Sequence, residues 1–206
     1  MKKYALATVM LAAFGVTHAE NSVTNGFSYD YLEGTYQSAT IEQTIDGATI
    51  GVDPTGISIG GSKLLTDNIF VTASYNSLTA NSLKYQGTAY SVKTTVSGTS
   101  FGVGFRMPIN EKLDLAVHVA SIQGTTKASG LGLAISDSIN STPITAGVRF
   151  MAAPNVELQT SYTYDDGDSS YFFGGGVGIT KEIAIIGGYN KVDGGSSAIV
   201  GLRYNF

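Results

Sequence analysis

The chain ends in Ser196-Ser197-Ala198-Ile199-Val200-Gly201-Leu202-Arg203-Tyr204-Asn205-Phe206, a stretch in which apolar and polar side chains alternate. Successive side chains of a β-strand point to opposite faces, so Leu202 and Tyr204 share one face while Arg203 and Asn205 share the other. The first face suits lipid, and the second suits a polar interior. The stretch therefore predicts the closing strand of a β-barrel that sits in a membrane.

Nine earlier segments carry the same alternation, which brings the predicted number of strands to ten. They lie at about residues 27–38, 56–65, 69–77, 97–107, 113–120, 144–150, 156–164, 171–180 and 183–191. A tilted strand needs roughly 9–11 residues to cross a bilayer, and most of these segments have about that length. Unpaired backbone groups in lipid cost several kcal/mol each, so a set of spanning strands must close into a barrel.

The connections between these segments alternate in length. Short turns follow the even-numbered strands, whereas long polar stretches at residues 39–54, 78–93 and 123–140 follow three of the odd-numbered ones. Bacterial membrane barrels show this asymmetry, with short periplasmic turns and longer external loops. We therefore predict an all-β fold, a closed antiparallel transmembrane up-and-down β-barrel of about ten strands. The alternative is eight strands, if one hairpin stays outside the membrane.

The composition excludes several kinds of chemistry. There are no cysteines, so disulfides, thiolate metal sites and thiol nucleophiles are absent. Charged residues make up only 14% of the chain and the formal net charge is −4. No basic cluster is present, which argues against a nucleic-acid partner.

The first nineteen residues have the features of a secretory signal peptide. Lys2 and Lys3 precede an apolar stretch at residues 4–16, and Thr17-His18-Ala19 follows, with cleavage expected after Ala19. The apolar stretch is shorter than the ~20 residues of a membrane-spanning helix. We predict that residues 1–19 are removed and that residues 20–206 form one barrel domain.

Four short motifs give the chain a family resemblance. They are Tyr29-x-Tyr31-x-Glu33-x-x-Tyr36, Gly60-Gly61-Ser62, Leu65-Thr66-Asp67-Asn68 and the terminal Tyr204-x-Phe206. With the signal peptide, they make the chain resemble the small outer-membrane β-barrel proteins of Gram-negative bacteria, of the OmpA and OmpX membrane-domain type. The resemblance implies a location in the outer membrane, in contact with its lipid and lipopolysaccharide.

The same resemblance implies a role for the last residues of the chain. In such proteins the terminal aromatic residue and its alternating partners, here Leu202, Tyr204 and Phe206, look like the signal that the barrel-assembly machinery reads. The alternative interpretation is that the three side chains only face lipid on the last strand.

Six charged side chains are predicted to point into the barrel near the end that carries the short turns. They are Arg106, Arg149 and Arg203 with the carboxylates Glu33, Asp114 and Glu157. Charges buried in a narrow barrel are costly unless they are paired, so the first interpretation is a structural ladder of arginine–carboxylate bonds. The alternative is a ring of charges that selects ions in a small pore.

No catalytic, cofactor-binding or metal-binding residue is predicted. The inward His118 lies in the middle of a strand with no acid fixed near it by the sequence, and Asp165-Asp166-Gly167-Asp168 lacks the full calcium-loop pattern. Tyrosines near the strand ends are expected to form the interfacial girdles; they are Tyr29, Tyr75, Tyr162, Tyr164, Tyr189 and Tyr204.

These observations favour a non-enzymatic protein with a structural or surface-interaction role. Its external loops would contact lipopolysaccharide, a host surface or another cell, and the barrel would display them. A narrow porin-like channel for ions or small solutes is the alternative, and a surface enzyme is the third hypothesis. A wide diffusion channel is disfavoured, because water-filled porins use about sixteen to eighteen strands.

Overall fold

Strands account for all the regular structure that the computed structural model shows in residues 27–45 and 47–206, the part of the chain that it describes. The strands are β1 (Tyr31–Ile45), β2 (Ala48–Val52), β3 (Thr55–Leu64), β4 (Ile69–Ala80), β5 (Leu83–Tyr85), β6 (Thr88–Tyr90), β7 (Lys93–Asn110), β8 (Leu113–Gly130), β9 (Leu133–Ser141), β10 (Ile144–Ala153), β11 (Val156–Asp165), β12 (Asp168–Gly178), β13 (Ile183–Val192) and β14 (Gly195–Asn205). Within these residues no helix has the length and hydropathy needed to cross a bilayer. The predicted signal peptide lies outside the described residues.

Ten of the strands form a closed antiparallel barrel. Around the ring they follow the order β1, β3, β4, β7, β8, β10, β11, β12, β13 and β14, and β14 then pairs with β1. The closing register runs from Tyr31 opposite Asn205 to Ile41 opposite Gly195. The prediction of ten strands is confirmed. The eight-stranded alternative is wrong, because the short strands β2, β5, β6 and β9 are additional to the ten.

The long connections are not irregular loops but strands that continue the barrel wall. The C-terminal part of β1 pairs with β2, β2 pairs with β5, and β5 pairs with β6. We call residues 41–45, 47–52 and 83–90 the β1–β6 ribbon. β9 pairs with the upper part of β8, so residues 93–98 and 124–141 form the β7–β9 ribbon. β7 and β8 have 18 residues each, which exceeds the roughly 9–11 needed for one membrane crossing.

The two faces of the barrel wall differ as the alternation predicts. Large apolar side chains cover the outside; Phe101 is 65% exposed and Leu202 is 58% exposed. Polar side chains such as Gln37 and Asn76 are almost completely buried inside. An apolar exterior around a polar interior is the arrangement that lipid requires.

Aromatic rings fill much of the interior where glycines face them. A Cβ atom added to Gly104 would lie 2.1 Å from Cζ of Phe70, and one added to Gly102 would lie 2.1 Å from Nε2 of His118. Glycine within a strand thus lets a large neighbour approach the backbone closely.

The barrel has two different ends. We call the end with the tight turns the short-turn end, and the opposite end the ribbon end.

Candidate functional site

The structure brings the six predicted interior charges together as three ion pairs near the short-turn end. The pairs are Arg106 with Asp114, Arg149 with Glu157 and Arg203 with Glu33, with N–O distances of 2.9, 2.5 and 3.4 Å. Their side chains are between 0 and 13% exposed. Three positive and three negative groups cancel, so this layer of the lumen carries no formal net charge.

Strand register explains how one of these pairs arises, and two-point hydrogen bonding holds a second. Glu33 and Arg203 are direct cross-strand neighbours on β1 and β14, so this pair spans the seam where the barrel closes. Arg149 and Glu157 lie on β10 and β11, where Nε and Nη2 of the guanidinium donate to the two carboxylate oxygens. Such two-point bonds fix the orientation of an arginine as well as its charge.

Residues 27–31, which we call the N-terminal arm, cross the short-turn end of the lumen. Phe27, Tyr29 and Tyr31 alternate along the arm and are only 4, 0 and 4% exposed. Each ring packs against a different interior arginine, with distances from guanidinium carbon to ring centroid of 4.8, 4.4 and 5.1 Å for Arg149, Arg106 and Arg203 respectively. Guanidinium groups are attracted to aromatic faces at such distances.

Tyr29 corrects one prediction from the sequence. It was expected in a girdle at the membrane interface, but its side chain is fully buried inside the barrel. Its hydroxyl donates to Oδ2 of Asp114 at 3.2 Å, and its ring centroid lies 4.8 Å from that of Phe70. The spacing Phe27-x-Tyr29-x-Tyr31 continues the inward face of β1, and this signal could have placed Tyr29 correctly. The other five girdle tyrosines are exposed on the outside of the barrel or at its rim.

Asp30, whose side chain points away from the lumen, ties the arm to two other strands. Its Oδ1 accepts the backbone N–H of Leu64 at 2.8 Å, and its carboxylate forms an ion pair with Lys63. Its backbone carbonyl accepts the N–H of Phe206 at 3.1 Å. The Lys63 ammonium lies 5.5 Å from the centre of the Phe206 ring. We call this set of contacts the Asp30 latch; no short sequence motif announces it, because it depends on the register of three strands.

The predicted assembly residues lie together on the outside of the barrel, along β14 and just after it. Leu202, Tyr204 and Phe206 are 58, 51 and 52% exposed, and the last two rings lie 6.4 Å apart. This placement is compatible with both interpretations of the terminal strand. Their reading by an assembly machinery stays a prediction.

His118 is buried in the lumen without a carboxylate as its hydrogen-bond partner. Its Nε2 lies 2.8 Å from the Thr72 hydroxyl, and its ring lies 5.9 Å from that of Phe70. Asp165 and Asp168 are backbone register partners on either side of the β11–β12 turn, which is Asp166-Gly167. Across residues 27–45 and 47–206, no three His, Cys, Asp or Glu side chains converge in a way that could hold a metal ion.

The two ribbons present exposed apolar and charged side chains. Leu131, at the tip of the β8–β9 hairpin, is 70% exposed, and Ile135 is 64% exposed. In the other ribbon, Nζ of Lys84 lies 2.7 Å from Oδ2 of Asp53, the residue that follows β2. This hydrogen bond holds the pKa of Asp53 below its ordinary value of 3.8.

Comparison with known protein families agrees with this architecture. The profile of a family described as the outer membrane protein beta-barrel domain matches residues 6–206. The chain belongs to this family. As an outer membrane β-barrel protein it lies in the bacterial outer membrane, and the short-turn end of such barrels faces the periplasm.

This outer membrane β-barrel protein is similar to several characterised ones. It is 26% identical over 175 residues to the attachment invasion locus protein of Yersinia enterocolitica, covering 82% of this chain and 92% of the relative. The transport unit of the autotransporter AIDA-I from Escherichia coli shares the fold with a TM-score of 0.60 at 12% identity, covering 98% of this chain and 97% of that one. The translocator domain of the autotransporter NalP from Neisseria meningitidis has a TM-score of 0.58 at 11% identity, covering 97% and 94%.

Proposed function

We propose that this outer membrane β-barrel protein is a non-enzymatic surface-interaction protein. In this proposal the barrel anchors the chain, and the β1–β6 and β7–β9 ribbons meet a partner outside the cell. The observation that carries the proposal is the continuity of the barrel strands into the ribbons. β7 and β8 run through the wall and then continue as a paired sheet well beyond one membrane thickness.

The ribbons have features that suit binding. In the part of the chain that the structure describes, β6 pairs only with β5 and β9 pairs only with β8, so each has a free edge. A free edge presents backbone N–H and C=O groups to which another chain can add a strand. The similarity to the attachment invasion locus protein of Yersinia enterocolitica supports a partner on another cell.

The charges of the external segments narrow the chemistry of that partner. Four lysines (Lys84, Lys93, Lys127 and Lys191) stand against seven acids (Glu42, Asp53, Asp137, Asp165, Asp166, Asp168 and Asp193) in the ribbons and ribbon-end hairpins, counted over the described residues. An acidic surface repels polyanions. We therefore expect a heparin column at physiological salt to retain the purified protein no better than a variant in which both ribbons are shortened; specific retention of the wild type would contradict this charge argument.

The lumen supports the surface role over the porin-like alternative. Three buried ion pairs and three aromatic rings occupy its short-turn end. A barrel of about eight strands is filled by its own side chains, and ten strands add little room. The family resemblance also favours a non-enzymatic role. So does His118, because it is buried and its hydrogen bond goes to the hydroxyl of Thr72.

The test uses variants in which each ribbon is trimmed without disturbing the barrel. Thr125 and Ser138 are register partners, so residues 126–137 can be replaced by an Asn-Gly turn. Lys84 and Ala89 are partners in the other ribbon, so residues 85–88 can be replaced in the same way. As a matched control, Glu111-Lys112 at the short-turn end is changed to Asn-Gly.

Each variant is expressed in a non-adherent Gram-negative host, and attachment to cultured epithelial cells is counted. We expect the wild type and the short-turn control to increase attachment, and the doubly trimmed barrel to lose the increase while it still reaches the outer membrane. Full attachment by the doubly trimmed barrel would show that the ribbons are not the binding surface.

We also infer how the chain reaches the membrane. Residues 1–19 would direct export and be removed, and Leu202, Tyr204 and Phe206 would be read by the barrel-assembly machinery. The sequence pattern of the first nineteen residues and the exposed terminal strand support this. N-terminal sequencing of the mature protein should begin at Glu20.

A further inference from the structure

The N-terminal arm has a geometry that a display anchor does not require. We propose that the arm is a latched plug that holds the lumen shut, and that releasing it opens a narrow path for ions through the barrel. This inference does not depend on the identity of any surface partner.

On its periplasmic side the arm borders an open cavity. This cavity has a volume of about 810 Å³, and its wall includes Ser28, Glu157, Arg203 and Asn205 together with residues of the short turns. Ser28 belongs to the arm, and its neighbours Phe27 and Tyr29 are buried. The arm therefore separates this cavity from the rest of the lumen.

On the other side of the arm the wall of the lumen includes buried polar side chains among apolar ones such as Phe172. Asn76, Asn190 and Ser197 are only 1, 1 and 2% exposed, and Asn190 and Ser197 are direct neighbours across β13 and β14. Nδ2 of Asn76, both amide atoms of Asn190 and Oγ of Ser197 have no hydrogen-bond partner within the described chain. Buried polar atoms of this kind are normally satisfied by ordered water. The arm thus stands between the periplasmic cavity and a wall suited to hydration.

Two sets of contacts hold the arm in place. Inside, each of its three rings lies on an arginine that is itself paired with a carboxylate. Outside, the Asp30 latch fixes the backbone between Tyr29 and Tyr31 to β3 and to the chain terminus. Residues 27–30 of the plug precede β1, so they can leave the lumen without removing a strand from the barrel, while Tyr31 stays in β1 opposite Asn205.

A second possible barrier lies at the ribbon end. Ala39, Ile41 and Val192 form a buried apolar cluster, with Val52 packed against it. Apolar constrictions can close a pore by excluding water. The test must therefore distinguish a seal at the arm from a seal at this cluster.

The experiment measures single-channel conductance of the purified, folded full-length mature protein in planar bilayers. We expect no steps from the wild type and defined steps from Tyr29→Ala, which removes the central ring of the plug. Tyr29→Phe keeps the ring over Arg106 and should stay closed, as should Tyr75→Ala, which removes a lipid-facing tyrosine of similar size. A heat-dependent gel shift verifies that each variant is folded.

Steps from the wild type, or silence from folded Tyr29→Ala, would overturn the proposal. Steps that appear only when Ile41→Ser is added would place the seal at the apolar cluster and would also overturn it. If Tyr29→Ala does not fold, Asp30→Asn decides the matter, because it leaves every lumen side chain in place and weakens only the latch. Brief openings of Asp30→Asn would support the proposal, and a closed trace would overturn it.

Discussion

Replacement of Asp114 by leucine should be among the most damaging single changes in the barrel. Asp114 is fully buried, lies 2.9 Å from Nη2 of Arg106, and accepts the Tyr29 hydroxyl at 3.2 Å. Asp114→Leu keeps the number and branching of the side-chain heavy atoms but deprives the buried guanidinium of this carboxylate. Removing one partner of a buried ion pair typically costs about 3–5 kcal/mol of folding free energy, because the remaining charge loses its compensation.

The chain offers a matched control for this substitution. The pair of Lys84 with Asp53 has a comparable N–O distance of 2.7 Å, but its side chains are 51 and 46% exposed. Water screens an exposed pair, so Asp53→Leu should leave the stability of the barrel near that of the wild type. The double variant Arg106→Met/Asp114→Leu removes both buried charges and should lose less stability than Asp114→Leu alone.

Unfolding is measured in lipid vesicles over a urea series, by circular dichroism and by the gel shift between folded and unfolded chains, since the protein has no tryptophan. The free energy follows from the midpoint and slope of each transition. Equal losses for Asp114→Leu and Asp53→Leu would refute the argument from burial. So would a double variant that is less stable than Asp114→Leu, because the uncompensated charge would then not be the cause.

Three further outcomes are expected. The pKa of Asp53 is lowered by its hydrogen bond to Lys84, so the stabilisation from this pair is present at neutral pH and is lost only as the pH falls through that lowered pKa. A carboxyl NMR titration should show Asp53 titrating below 3.8, and Lys84→Gln should raise the pKa of Asp53. Deleting Phe206 should lower the amount of protein in the outer membrane far more than it lowers the urea midpoint of the molecules that do fold. The reason is that the lost hydrogen bond to Asp30 and the lost ring contact with Lys63 together contribute only about 1–2 kcal/mol to stability. An unchanged amount in the outer membrane would contradict this. Gly104→Ala should destabilise the barrel by about 1–3 kcal/mol in the same urea assay, because the new methyl group would overlap the ring of Phe70. Gly34→Ala should be neutral, because no atom lies within 4 Å of its new methyl group.

The barrel could be predicted from the sequence because lipid imposes a simple rule. A side chain on a spanning strand faces either lipid or the interior, so the alternation around Phe101 and Leu202 reveals strand and face together. The inward direction of Arg106, Arg149 and Arg203 follows from the same rule. Which arginine pairs with which carboxylate cannot be predicted in this way. The pairing depends on the register between strands, and an alternation with a period of two residues does not determine that register.

Two features do not follow from strand-by-strand alternation alone: the contacts of the Asp30 latch and the position of Tyr29 in the lumen. Asp30 meets Lys63, Leu64 and Phe206 only through the particular register of β1, β3 and β14. Tyr29 precedes the first residue of β1, so its position near a strand end suggested an interface when its side chain in fact fills the lumen. The alternation of Phe27, Tyr29 and Tyr31 continues into β1, so this face pattern, rather than the position near a strand end, indicates the buried side of the arm.

The hairpins of the two ribbons and the β11–β12 hairpin have a local signal in the sequence. Gln86-Gly87, Leu131-Gly132 and Asp166-Gly167 all have positive φ at both positions and connect paired strands. This is the geometry of the two-residue hairpin turn that favours glycine at its second position. Polar composition suggested loops in these stretches, whereas the X-Gly pairs pointed to hairpins.

The seam between β1 and β14 has a consequence for the timing of folding. The pair of Glu33 with Arg203 joins residues 170 positions apart, and the last residue donates its N–H to Asp30 near the beginning of the ring. Contacts between such distant parts of a chain form slowly, because a long loop must be closed first. Most neighbouring strands can pair as hairpins while the chain is still incomplete, but the ring cannot be completed before its last residue is available. Until then two strand edges remain open, and the newly made chain is most exposed to wrong pairing during that interval.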